Sequence, residues 1–178
     1  YLLKDMDKAV SRIKLAQQNN EKITIYGDYD VDGITSIAIL YKHLTSMGFA
    51  VDYYIPDRIQ EGYGVNRDAL DKIKENGTKV VITVDTGITA NDEADYAAEL
   101  GIEMVITDHH ECHGSLPTAC AIVNPHRPDC PYPFKELAGV GVVFKLVCAY
   151  ESMRIARVDR RDERLSVADI GADMLAAG

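Results

Sequence analysis

The chain contains no apolar run approaching the ~20 residues that cross a bilayer. Its opening residues, Tyr1 to Val10, carry charges and offer no apolar core for a secretory signal. The four cysteines, Cys112, Cys120, Cys130 and Cys148, form no CxxC pair and no zinc-ribbon spacing. A domain of 178 residues needs no disulfide staple, so reduced thiols and a cytoplasmic location are expected. Basic residues are outnumbered, 19 Lys and Arg against 28 Asp and Glu, for a formal net charge of -9. Taken alone, that balance argues against a nucleic-acid binder, which usually presents a basic surface. Common catalytic signatures are missing as well. There is no GxSxG elbow, no GxxxxGK loop ending in Ser or Thr, and no GxGxxG after a strand.

What is present is a regular alternation of strand and helix signals. Short β-branched runs occur at Ile23–Tyr26, Val51–Ile55, Val80–Val84, Met104–Ile106 and Ala121–Val123. Most are apolar on both faces, as parallel strands buried between helices are. Helical patterns fill the gaps: Leu3–Ala16, the nearly all-apolar Ile34–Met47, Arg67–Glu75 and Asp92–Leu100. Asn66 and Asn91 stand where N-caps belong, and Gly77 and Gly101 where C′ glycines belong. A further helix is expected over Phe134–Met153, after the proline-rich stretch Asn124–Pro133. The pattern predicts an α/β fold, a doubly wound, mainly parallel five-stranded sheet with helices on both faces. The charge-dense stretch Arg154–Arg164 reads as a solvated linker or helix face. Residues 1–154 are expected to form the core, and 155–178 a linker or a truncated continuation of it. A chain that starts at Tyr1 and stops at Ala176-Ala177-Gly178 is expected to be a piece of a longer protein.

In open α/β sheets ligands bind beyond the carboxyl ends of the strands, and here those ends are polar. The first strand runs into Gly27-Asp28-Tyr29-Asp30-Val31-Asp32-Gly33, the third into Asp85-Thr86-Gly87, and the fourth into Thr107-Asp108-His109-His110-Glu111. The fifth ends at Asn124-Pro125-His126-Arg127, and the second at Pro56-Asp57-Arg58. Consecutive parallel strands bring these tips to one edge. Several aspartates cannot stay ionised and close together without a cation. Carboxylate oxygens suit Mg²⁺ and Mn²⁺, and an imidazole tilts the choice towards Mn²⁺. The donors suffice for two ions roughly 3.5–4 Å apart, the spacing used on phosphate esters. An EF-hand is excluded, because a strand precedes the loop and Ile39 occupies the twelfth position. His109, Cys112 and His113 do not make a closed zinc site, since no second cluster of soft ligands completes it. Cys112 beside His113 is no nucleophile pair, because sequence neighbours rarely face one another.

In combination, Asp28-Tyr29-Asp30-Val31-Asp32-Gly33, Val84-Asp85-Thr86-Gly87-Ile88 and Thr107-Asp108-His109-His110 resemble the first three motifs of the DHH phosphoesterases. The resemblance runs from about Leu3 to Tyr150. Ile55-Pro56-Asp57-Arg58-Ile59-Gln60-Glu61-Gly62-Tyr63-Gly64 and Leu137-Ala138-Gly139-Val140-Gly141-Val142 look like the single-stranded-DNA-specific exonuclease branch. So does Asn124-Pro125-His126-Arg127-Pro128-Asp129-Cys130-Pro131-Tyr132-Pro133-Phe134. The resemblance implies a hydrolase dependent on Mn²⁺ or Mg²⁺ at a two-ion site. It would digest single-stranded DNA 5′-to-3′ in DNA repair and recombination. By this resemblance Asp30, Asp32, Asp85 and His109 match the family's metal ligands, Asp85 at the bridging position, and Asp28 a ligand or the orienter of a metal-bound water. His110 is a candidate for contacting the scissile phosphate or orienting a ligand, Arg58 for gripping a phosphate or else a surface arginine, and Asp108 for holding the histidines in place.

Two departures stand out. Ser166-Val167-Ala168-Asp169-Ile170-Gly171-Ala172-Asp173 matches the family's fourth motif poorly, and a C-terminal DHHA1 domain is absent from the sequence. Two other readings use the same residues. One is a phosphodiesterase for short oligonucleotides or cyclic dinucleotides, and the other a non-catalytic interaction module.

Overall fold

The computed structural model describes residues 2–57 and 62–158. Its elements alternate: α1 (Met6–Gln18), β1 (Lys22–Gly27), α2 (Val31–Ser46), β2 (Val51–Tyr54), α3 (Arg67–Glu75). They continue as β3 (Thr78–Val84), α4 (Asn91–Glu99), β4 (Glu103–Thr107), β5 (Ala121–Val123) and α5 (Gly139–Val158). The five strands form one sheet in the order β2-β1-β3-β4-β5, every neighbouring pair parallel.

The period-two geometry of the strands divides the core in two. Ile23, Ile25, Val80, Ile82, Val105, Ala121 and Val123 face α1, α2 and α5, where they meet Val10, Ile13, Leu40, Leu44, Val143 and Leu146. Tyr26, Val81, Met104, Ile106 and Ile122 face α3 and α4, against Leu70, Ile73, Ala94 and Ala97. Each fully buried Ile or Leu contributes roughly 1.5–3 kcal/mol, so strand register is firmly specified. Thr24, a buried polar residue in β1, is satisfied by a 2.7 Å hydroxyl pair with Thr78.

The helix boundaries show where local chemistry overrides periodicity. Asn66 caps α3, accepting from Ala69 N at 2.8 Å, and Gly77 and Gly101 take positive φ. Asn91 does not cap α4. It is the first helical residue, and Ala90, whose backbone N–H donates a hydrogen bond to Gly87 O, precedes it. With its side-chain amide oriented to donate, Asn91 instead reaches the carbonyls of Ser115 and Leu116, each at 3.2 Å. The last helix starts at Gly139 and runs to Val158, five residues later at each end than Phe134–Met153. Residues 134–138 are held outside it, with Lys135 Nζ donating to Pro125 O and Cys130 O. The first helical amides then find an acceptor elsewhere in the chain, at Asp32.

The order of strand addition reverses between β1 and β3: the chain goes from β1 out to β2, then returns to the other side. Such a switch point opens a crevice at the strand carboxyl ends. The loops after β1, β3 and β4 all enter it.

Candidate metal centre

After β1 the chain turns sharply into α2, and the turn is built for close approach. A Cβ on Gly33 would lie 2.8 Å from the carbonyl carbon of Asp28. Asp30 caps α2, its Oδ1 accepting from Gly33 N at 2.8 Å. Asp28 is buried and accepts from Tyr29 N at 2.7 Å. Asp32, in the first turn of α2, accepts from Gly139 N at 2.7 Å and Val140 N at 2.8 Å.

At the end of β3, Asp85 adopts a left-handed conformation, φ 60°. An L-residue rarely sits there, and Asp is among the few that tolerate it. Its amide donates to Thr107 O, tying the turn to β4. The side chain is only 2% exposed, and Oδ1 has no hydrogen-bond donor. His109 Nε2 lies 3.0 Å from that oxygen without the alignment of a hydrogen bond, and 3.8 Å from Asp32 Oδ2. Burial first, then the Asp32 and Asp30 carboxylates, push the Asp85 carboxyl up to about 7.

Asp108 lies behind the histidines, almost wholly buried. Its Oδ1 accepts from His109 N at 2.7 Å, His110 N at 3.1 Å and His110 Nδ1 at 2.7 Å. Its Oδ2 accepts from Ile88 N at 2.9 Å. Burial alone would raise this carboxyl. The bonds from His110 and Ile88 outweigh it and hold the group below the ordinary aspartate range. The same bond to Asp108 is the main reason His110 is raised above the usual imidazole value. Asp108 thus keeps a proton on His110 Nδ1 and leaves Nε2 facing the cleft.

One ligand atom from each of Asp85, His109 and His110 falls within 4.8 Å of the others. Asp32 borders this group through His109. Asp28 and Asp30 lie at the β1 end of the same cleft, and Asp30 is close enough to shift Asp85. Arg58 lies outside the described residues, as do Asp169 and Asp173.

The sequence assigns no site role to Asn124 or Tyr63, and reads Gly139–Gly141 only as permitting tight turns and close approach. Asn124, fully buried at the tip of β5, donates to His110 O at 2.9 Å and accepts from His126 N at 2.7 Å. Tyr63 brings its hydroxyl to 3.5 Å from His110 Nε2. Burial, with Asp108, Asp28 and Asp85 near, pushes that phenol up to about 12. The amides of Gly139 and Val140 hold Asp32. The available signals were a polar residue at a strand tip and glycines bunched before a helix. Beside His110 a cavity of about 560 Å³ opens, lined among others by Tyr63, Thr86, Ile88, Glu93 and His113.

The donors fit a hard divalent ion. The orphaned, buried Asp85 Oδ1 would gain a partner, and the other donors are carboxylate oxygens and imidazole nitrogens.

A doubly wound parallel sheet with carboxylates and histidines gathered at its switch point defines an α/β protein with a candidate divalent-metal centre. The chain belongs to the DHH family, whose N-terminal domain model matches residues 22–178. It is 52% identical over 171 residues to the single-stranded-DNA-specific exonuclease RecJ of Bacillus subtilis strain 168, covering 96% of this chain. It spans only 21% of that relative's length. Among solved structures it is similar to an exonuclease RecJ bound to manganese, with a TM-score of 0.78 and 34% identity. That match covers 86% of this chain and 39% of the other. A second, RecJ from Thermus thermophilus in complex with Mn²⁺, gives a TM-score of 0.72 and 31% identity, covering 85% and 21%.

Proposed function

We propose that this chain carries the metal-binding catalytic core of a phosphodiesterase that digests single-stranded DNA 5′-to-3′ in repair and recombination. The observation that carries the reading is Asp85. Its buried, donorless oxygen faces His109 Nε2, beside Asp32, at the edge where phosphate would enter. The likeness to manganese-bound exonucleases supports Mn²⁺ or Mg²⁺ as the ion and single-stranded DNA as the substrate.

In this reading Asp28, Asp30, Asp32, Asp85 and His109 would hold the ions. When bound, a divalent pair lowers the pKa of water and neutralises charge on the phosphate. His110, fixed by Asp108 and Asn124, presents Nε2 to the scissile phosphate. Arg58 grips a neighbouring phosphate. Residues 1–154 form the catalytic core, and the family match through residue 178 supports 155–178 as its continuation. A DHHA1-type domain closes the channel in the whole protein. The protein works in the cytoplasm, and among the described residues no helix is long and apolar enough to cross a membrane.

The test uses the chain extended at its C-terminus to the length of its relatives, with Mn²⁺ and single-stranded DNA labelled at either end. Release of mononucleotides from the 5′ end of long strands is expected. Cleavage confined to dinucleotides would assign the site to short oligonucleotides or cyclic dinucleotides. Metal binding without cleavage of any phosphodiester would mark an interaction module.

A further inference from the structure

Two observations meet at the first residue of α5. Gly139 and Val140 give their amides to the two oxygens of Asp32, across more than a hundred residues of sequence. On its other side Gly139 touches Asp85. A Cβ there would lie 2.7 Å from the Asp85 carboxyl carbon and overlap its Oδ1. Neither contact is needed for helix formation as such. Gly is a poor helix residue, and an Asp or Ser in the cap position just before α5 would satisfy an early helical amide such as that of Val140 locally.

We infer that Gly139 is a positioning residue for the metal centre: through α5 it sets where the Asp32 and Asp85 carboxylates stand relative to each other. The inference rests on the metal-centre reading above. The amides point Asp32 by both oxygens at once, and each oxygen keeps a second lone pair for an ion. The positive end of the α5 dipole offsets part of the negative charge gathered in the cleft. The missing side chain lets Asp85, on a neighbouring strand tip, come against the helix start. A methyl group at residue 139 therefore changes the separation of two ligands while touching no ion. Gly141, two residues on, is the natural control. A Cβ there meets only the Leu137 side chain, at 3.2 Å, and no carboxylate.

The experiment titrates Mn²⁺ into the 178-residue chain and follows the free-ion EPR signal in wild type, Gly139→Ala and Gly141→Ala. Loss of a group that orients a ligand costs roughly 10–100-fold in metal affinity, and Gly139→Ala is expected in that range. Gly141→Ala should stay within about twofold of wild type, since a side chain there reaches no group that orients a ligand. A purely structural role would lower melting temperature in EDTA for both variants and leave affinity alone. Wild-type affinity in a folded Gly139→Ala protein would overturn the inference while leaving the metal centre intact. A wild-type chain that binds no Mn²⁺ would overturn the metal-centre reading itself. If Gly139→Ala does not fold, amide exchange in the wild type decides. Mn²⁺ should slow exchange at Gly139 and Val140 more than at Leu146, and equal slowing would overturn the inference.

Discussion

Asp108 Oδ1 accepts the ring Nδ1–H of His110 at 2.7 Å while also accepting the backbone amides of both His109 and His110. A single buried oxygen thereby fixes the direction of two consecutive histidines that sequence spacing alone would splay apart. His109 is turned towards Asp85 and Asp32, and His110 towards Tyr63 and the adjoining cavity.

Replacing Asp108 by alanine leaves the Ile88, His109 and His110 amides without an acceptor in a dry site. The variant is expected to lose about 2–4 kcal/mol of stability by urea denaturation. Asp108→Asn keeps the shape and one acceptor oxygen, so it should recover part of that loss. A stability equal to wild type in Asp108→Ala would show that water replaces the carboxylate there.

Asp85→Asn tests the electrostatics of the cleft. Without metal, the wild type buries a carboxylate against Asp32 and Asp30. Removing that charge should raise the melting temperature in EDTA by about 2–4 °C, the effect of roughly 1 kcal/mol in a chain of this size. In the wild type Mn²⁺ should raise the melting temperature, because it binds the folded state alone, and Asp85→Asn should lose most of that shift. An undiminished shift in the variant would put the ion elsewhere.

A pH effect is expected far from the cleft, where α2 meets α5. His43 Nε2 stands 3.5 Å from Glu151 Oε1, and burial, helped by Arg154 and opposed by Glu151, lowers the imidazole below its ordinary value. The unfolded chain therefore takes up this proton first. The contribution is complete above about pH 6.5 and shrinks as pH falls below it. Urea denaturation between pH 7.5 and 5 should show a steeper loss in wild type than in His43→Gln. Parallel curves would show that His43 titrates alike in both states.

The 178-residue chain should bind Mn²⁺ yet degrade single-stranded DNA slowly. Its net charge is -9, and the chain spans about a fifth of the length of its Bacillus subtilis relative. A phosphate backbone needs a positive channel, and in-line attack needs a substrate held in place. Adding the C-terminal continuation should raise the rate by at least about tenfold, the effect of roughly 1.4 kcal/mol in barrier. Equal rates would show the core to be self-sufficient.

The sheet was readable from sequence because its signal is repeated. Five β-branched runs fell on the five strands within a few residues, and each carried its polar tip to the same edge. Single residues were harder to read. Asn91 looks like a cap in isolation, but a turn at Gly87 shifts the helix start and hands its amide to another loop. The onset of α5 depends on Asp32, more than a hundred residues away, and no local pattern contains that information. Asn124 likewise gains its role only when β5 lies beside β4. The strand-tip aspartates and histidines were visible as a set. Which of them touch was decided by tertiary structure.

The central claim is that Asp85 and His109 grip a divalent ion together. Crystals soaked in Mn²⁺ and measured at the manganese absorption edge address it most directly. An anomalous peak is expected with Asp85 Oδ1 and His109 Nε2 both at roughly 2.0–2.3 Å, near the range of hard divalent ions. A peak that leaves Asp85 uncoordinated, or no peak in the cleft at all, would contradict it.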